Sequence, residues 1–122
     1  MSAAYLFGGL DNFVIALIVV MTADYLSGLT VAYFFKKNVE SKKAFKGLMK
    51  KTAMLSAVIV ANQLDIIGGS GGHFMRNAMI LFLIGMEGIS FIENLGKMGV
   101  KVPNQISNAF LQLKDTNDKE VK

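Results

Sequence analysis

The stretch that decides the fold is FVIALIVVMTADYLSGLTVAYFF, residues 13–35, in which Asp24 is the one charged side chain. A helix of that length rises about 34 Å, enough for a hydrocarbon core of about 30 Å. A helix on the surface of a soluble core alternates an apolar stripe with a wet face. This run is apolar nearly all round. An ionisable group at membrane mid-depth is expensive and turns toward a helix partner, a cavity or a pathway, so Asp24 implies a helix that packs against others.

Seven lysines follow at 36, 37, 42, 43, 46, 50 and 51; with Glu40 they give residues 36–51 a formal charge of +6. A second apolar segment, about 50–67, is short and carries Asn62, Gln63 and Asp65 near its far end. To span, it needs its lysines to snorkel, its polar end to sit at the opposite interface, or a thinned bilayer. Ala53, Ala57 and Ala61 recur every fourth residue and offer a narrow seam for close helix approach, or serve simply as good helix formers. A third segment, about 75–95, is most apolar from Ala78 to Met86. Glu87, Ser90 and Asn94 then share one helical face, with Glu93 displaced from it. Glu93 and Asn94 are near enough to the end to reach headgroups; Glu87 lies deeper.

The expected fold is an all-α integral membrane protein, a single domain over 1–122 with three transmembrane helices and a short C-terminal amphipathic helix. That last helix, about 104–114, follows Pro103 and gathers Ile106, Ala109, Phe110 and Leu113 on one face, fit for the interface or the cytoplasm. The positive-inside rule places the lysine-rich joint in the cytoplasm. The N-terminus and the glycine-rich turn at 68–72 are then outside and the tail inside. Lys36, Lys37, Lys42, Lys43, Lys46, Lys50 and Lys51 are expected to contact lipid headgroups.

Several function classes drop out. With no cysteine there is no disulfide, thiolate chemistry or cysteine metal site. His73, alone in a glycine loop, has no ligand set, so no metal and no cofactor is expected. No nucleophile with a base and no phosphate-cradling loop emerges, so an enzyme is not expected. A basic loop held against a membrane explains nucleic-acid binding poorly. Self-association is the economical use: small residues supply close contacts, acids and amides supply polar ones. The candidate intramembrane polar or assembly residues are Asp24, Gly28, Ala53, Ala57, Ala61, Glu87, Ser90 and Asn94. From the residues alone, a small ion channel or transport subunit and a noncatalytic membrane scaffold both stay open.

Two blocks resemble a known family. DYLSGLTVAYFFKKNVESKKAFKGLMKK, residues 24–51, carries the resemblance on Asp24, Gly28, Ala32, Ser41, Gly47 and Lys51; EGISFIENLGKMGVKVPNQI, residues 87–106, carries it on Glu87, Ser90, Glu93, Asn94, Gly99 and Pro103. Together they resemble the phage lysis and toxin secretion holins related to the clostridial toxin-release holin. That resemblance implies a homo-oligomer in the bacterial cytoplasmic membrane that forms nonselective lesions. These would permit release of an endolysin or a toxin and host cell lysis, with no direct binding to the released protein implied.

Overall fold

The computed structural model describes residues 3–35, 40–69 and 71–121, with side chains described through Asp115. Among these all regular secondary structure is helical: α1 (Ala3–Leu6), α2 (Asn12–Thr30) prolonged by a π-helical turn (Val31–Phe35), α3 (Ser41–Gly68), α4 (Phe74–Lys97) and α5 (Asn104–Val121). Two of them, Asn12–Phe35 and Phe74–Lys97, are long and apolar enough to cross a membrane.

The lysine-rich joint is largely helix. The expected second span, 50–67, is the last part of α3, a 28-residue helix whose first turns carry Lys42, Lys43, Lys46 and Lys50, all exposed. Helix propensity explains the extension, since lysine, alanine, methionine and leucine are good helix formers and nothing breaks the chain between Ser41 and Gly68. Gly69, in the left-handed conformation at φ 67°, ends it. The buried face of α3 is Met54, Val58, Ala61, Asn62 and Asp65, one stripe at helical spacing.

Helix α4 is the centre of the molecule. It packs against α2 and α3 on one side and α5 on another, and Val14, Leu17 and Met21 of α2, Met54 and Val58 of α3, and Ile80, Leu83 and Ile84 of α4 form the apolar core. The tail helix, expected at 104–114, runs to Val121 and folds back antiparallel along α4. Two glycines make that approach possible. A Cβ at Gly85 would stand 2.7 Å from the Lys114 backbone nitrogen and 2.8 Å from the Phe110 carbonyl oxygen, and one at Gly88 would enter the Phe110 ring.

The N-terminal segment is tied to the start of α4 by Arg76, the chain's single arginine and fully buried. Its Nη1 and Nη2 donate to the two Asp11 carboxylate oxygens at 3.0 and 2.9 Å, its Nη2 to the Gly9 carbonyl at 3.0 Å, and its Nε to the Phe7 carbonyl. Asp11 also caps α2 by accepting from the Val14 amide at 3.2 Å. Across the glycine turn, Asp65 accepts from the Met75 and Arg76 amides, both at 2.9 Å, and so caps α4, whose own N-cap His73 makes no side-chain bond. Asn62 donates to the Leu6 carbonyl at 3.1 Å. Gly8, at φ 77°, is required twice, because a Cβ there would also lie 2.6 Å from Asn62 Oδ1.

The glycine contacts predict an asymmetric rescue. Gly88→Ala should loosen α5 by about 1–3 kcal/mol, and Phe110→Ala in the same chain should restore it, because the obstruction is a side-chain ring. Gly85→Ala should resist that rescue, since its obstruction is backbone. Hydrogen exchange of α5 amides in detergent micelles reads both. A second prediction concerns Asp11, whose carboxyl is held below its ordinary 3.8 chiefly by the Arg76 hydrogen bonds, with burial opposing. A depressed pKa makes this support complete above pH 3.8 and lost as pH falls through the lower folded value. Proteolytic protection of residues 3–11 should therefore fall in that acid window, and Asp11→Asn should remove that part of the pH dependence.

Candidate functional site: a charged cluster where three helices meet

Asp24 and Glu87 lie near the middles of the two apolar helices. By helical rise Asp24 is about 18 Å from the Asn12 end of its helix and Glu87 about 20 Å from the Phe74 end of its own. Both are buried, at 8% and 4% exposure, and both reach the same cation. Lys51 donates from Nζ to Asp24 Oδ2 at 3.0 Å and to Glu87 Oε1, so three helices meet at one ammonium. Asn94 adds a fourth member, donating from Nδ2 to Asp24 Oδ1 at 3.2 Å and to Ser27 Oγ at 3.0 Å. Ser27 in turn donates to the Asp24 carbonyl at 3.0 Å.

Lys51 is thus not with the headgroup lysines, where the sequence reading placed it. It stands on the buried face of α3 three residues before Met54, and two carboxylates draw its ammonium inward. Lys42, Lys43, Lys46 and Lys50 are exposed, whereas Lys36 and Lys37 lie outside the described residues.

A cavity of about 400 Å³ opens beside the cluster, lined by Asp24, Gly28, Lys43, Lys50, Lys51, Glu87, Ser90 and Asn94 among others. It brings together five of the eight candidate intramembrane polar or assembly residues, Asp24, Gly28, Glu87, Ser90 and Asn94, with Lys43, Lys50 and Lys51 of the lysine-rich joint. The alanine seam is not part of it. Ala61 is buried, Ala57 half-buried and Ala53 exposed, because the buried stripe of α3 passes through Met54 and Val58 instead. At Gly28 a Cβ would meet Asn94 Nδ2 at an ordinary 3.6 Å, so the contact there does not demand glycine.

The sequence reading missed Lys51 as the partner of both acids, and Arg76 with Asp65. A signal existed for each. Lys51 abuts an apolar run opposite two intramembrane acids that need a cation, and Arg76 opens the third run just across the glycine turn from Asp65. The cluster has one cation for two carboxylates. Among the described residues no group of three His, Cys, Asp or Glu is placed to hold a metal ion. What this arrangement can do is hold helices together by charge and release them when a proton, water or another protein group replaces a partner.

Residues 1–115 match the model of the bacteriophage holin family. The chain belongs to that family. It is 34% identical over 117 residues to a probable holin of Bacillus phage phi105, an alignment covering 96% of this chain and 84% of the phage protein. It is also 41% identical over 107 residues to an uncharacterized protein of Listeria monocytogenes, covering 88% of this chain and 75% of the relative. An uncharacterized protein of Bacillus subtilis is 35% identical over 120 residues, covering 98% and 82% respectively. No solved structure matches the chain. Family membership and the two apolar helices make this a membrane protein of the holin kind.

If the cluster holds the three helices by charge, removing its cation should be more damaging than removing all its charges. Lys51→Met leaves two buried carboxylates unpaired and should cost about 3–5 kcal/mol. Adding Asp24→Asn and Glu87→Gln to that variant should recover most of the loss, as read by thermal unfolding in one detergent.

Proposed function

We propose that this holin accumulates in the bacterial cytoplasmic membrane as closed protomers, oligomerises, and opens nonselective lesions through which an endolysin or a toxin leaves and the host cell lyses. The observation that carries the reading is the Asp24–Lys51–Glu87 cluster at the middle of both apolar helices. A protein meant only to anchor has no use for three charges at that depth, where each is tolerated only while paired. Such a cluster gives the protomer a polar interior that is satisfied while it is alone and exchangeable once neighbours crowd it. Rising surface density then favours the assembled state by mass action.

In this reading α2, the later part of α3 and α4 cross the bilayer, with the N-terminus outside, the glycine turn outside and the C-terminus cytoplasmic. The exposed Lys42, Lys43, Lys46 and Lys50 support a cytoplasmic position for the start of α3, and their ammonium groups are available to anionic headgroups. The exported protein need not touch the lesion specifically.

Expression in cells should produce accumulation with little leakage, then an abrupt loss of membrane potential at a threshold density. Proteoliposomes should release dyes of increasing size above a protein-to-lipid threshold. A stable, ion-selective conductance with no dye release at any density would favour a small channel instead, and the absence of both self-association and leakage would favour a scaffold.

A further inference from the structure

The cavity beside the charged cluster is polarised, and its charges balance. Its buried end holds Asp24, Glu87 and Lys51, two acids and one cation, a formal −1. Its exposed mouth holds Glu40, Lys43 and Lys50, one acid and two cations, a formal +1. In the orientation proposed above, that mouth faces the cytoplasmic headgroup layer, because Lys43 and Lys50 belong to the basic start of α3. A cavity that is neutral overall and oppositely charged at its two ends is complementary to a zwitterion rather than to a simple anion or cation.

The buried end has acceptors left over. Both Asp24 carboxylate oxygens are engaged, Oδ2 by Lys51 and Oδ1 by Asn94. Glu87 accepts from Lys51 through Oε1 alone, and its Oε2, Ser90 Oγ and Asn94 Oδ1 make no hydrogen bond with the described residues. Those three atoms are reachable, since among the described residues no fully buried side-chain oxygen lacks a partner. Their residues share one face of α4 and line the cavity. A carboxylate oxygen with a hydroxyl one turn along the helix is suited to a primary ammonium, which carries three N–H donors.

At the mouth, Lys43, Gly47 and Lys50 fall at i, i+4 and i+7 on one face of α3. Gly47 leaves a gap between two ammonium groups, and neither lysine forms an ion pair with a described residue. Two such point charges flanking a gap suit the oxygens of a phosphate. Tyr25, whose ring would stand 3.4 Å from a Cβ at Gly47, is shared with Lys51 by a second cavity of about 310 Å³ between α2 and α3. The other walls of that groove are mostly apolar, among them Ile18, Met21, Leu26, Leu48 and Leu55. Ile18 and Met21 precede Asp24 on α2 and Leu55 follows Lys51 on α3, so the groove leads away from the cytoplasmic mouth toward the bilayer interior.

We propose that the cavity binds the headgroup of a zwitterionic aminophospholipid, phosphatidylethanolamine, of the cytoplasmic leaflet. Its ammonium meets Glu87 and Ser90, its phosphate lies between Lys43 and Lys50, and one acyl chain follows the groove past Tyr25 and Lys51. The assignment rests on the membrane orientation of the holin reading and adds a ligand to it. Lys50 adjoins Lys51, the partner of Glu87, so the two ends of the site meet at adjacent residues of α3, as the short ethanolamine link requires. The lipid ammonium is then the second cation for a cluster that has two carboxylates and one lysine. Phosphatidylglycerol has the phosphate and no cation for Glu87, and the trimethylated nitrogen of phosphatidylcholine has no N–H for Ser90.

Native mass spectrometry of the full-length protein tests the site, with the protein released from vesicles of equimolar phosphatidylethanolamine, phosphatidylglycerol and phosphatidylcholine. Phosphatidylethanolamine should be retained about tenfold more than either of the others, the value of one charge-assisted hydrogen bond. Ser90→Leu, which fills the cavity and leaves every charge in place, should abolish that preference. Lys43→Gln should cut phosphatidylethanolamine retention about fivefold, and Lys101→Gln, whose lysine lies outside this cavity, should not. Equal retention of the three lipids would overturn the site. So would an undiminished preference in Ser90→Leu protein with an unchanged unfolding midpoint; if that variant fails to fold, full retention by Lys43→Gln overturns it instead. Binding of water-soluble glycerophosphoethanolamine as tight as that of the lipid would overturn the membrane source, since the groove then holds no chain. Dye release from the same vesicles separates the two readings. Threshold release without lipid preference overturns this site alone, and lipid preference without self-association or release at any density overturns the lesion-forming reading alone.

Discussion

The hydrocarbon core offers no water to an ionised side chain, and that constraint organises this molecule. Asp24 and Glu87 sit near the middles of the two helices long and apolar enough to cross a membrane, and Lys51 comes from a third helix to meet both. One ammonium thereby sets the relative height of α2, α3 and α4. Asn94 and Ser27 complete the hydrogen bonding around Asp24, and among the described residues no buried side-chain nitrogen or oxygen lacks a partner. Such a cluster is a poor source of net stability, since desolvation offsets most of the attraction, but it strongly disfavours arrangements that separate its members.

A second polar layer performs the same task at the other end of the helices. Arg76, Asp11, Asp65 and Asn62 fasten the N-terminal segment and the glycine turn to the start of α4. Between the two layers lies the apolar core. The α2–α3–α4 unit is thus pinned by charge at two heights and packed by van der Waals contact between them. Its α5 side is different in kind: contact there depends on the absence of side chains at Gly85 and Gly88, and the outward face of α5 is amide-rich. The fully buried polar atoms of the described interior are thus hydrogen-bonded, whereas the outward face of α5 is polar and exposed.

The sequence by itself determined that the chain is helical and membrane-bound, because uninterrupted apolar length and the near absence of charge over residues 13–35 are properties of the chain that no folding can alter. It also marked Asp24, Gly28, Glu87, Ser90 and Asn94, which stand out inside apolar runs, and it placed the tail's apolar face on Ile106, Ala109, Phe110 and Leu113, of which Phe110 and Leu113 pack against the core while Ile106 and Ala109 are exposed. Tertiary structure alone decided which charges meet. Lys51 is one of seven lysines between residues 36 and 51, and the face of α3 on which it stands, turned toward Asp24 and Glu87, separates this partner of two acids from the exposed Lys50 beside it. Likewise the extent of α3 through the basic segment, the antiparallel return of α5 onto Gly85 and Gly88, and the capture of the N-terminal segment by Arg76 all depend on contacts between residues distant in the chain. Periodicity reports which face of a helix is apolar; it carries no information about the partner that will cover that face or about the depth at which the two will meet.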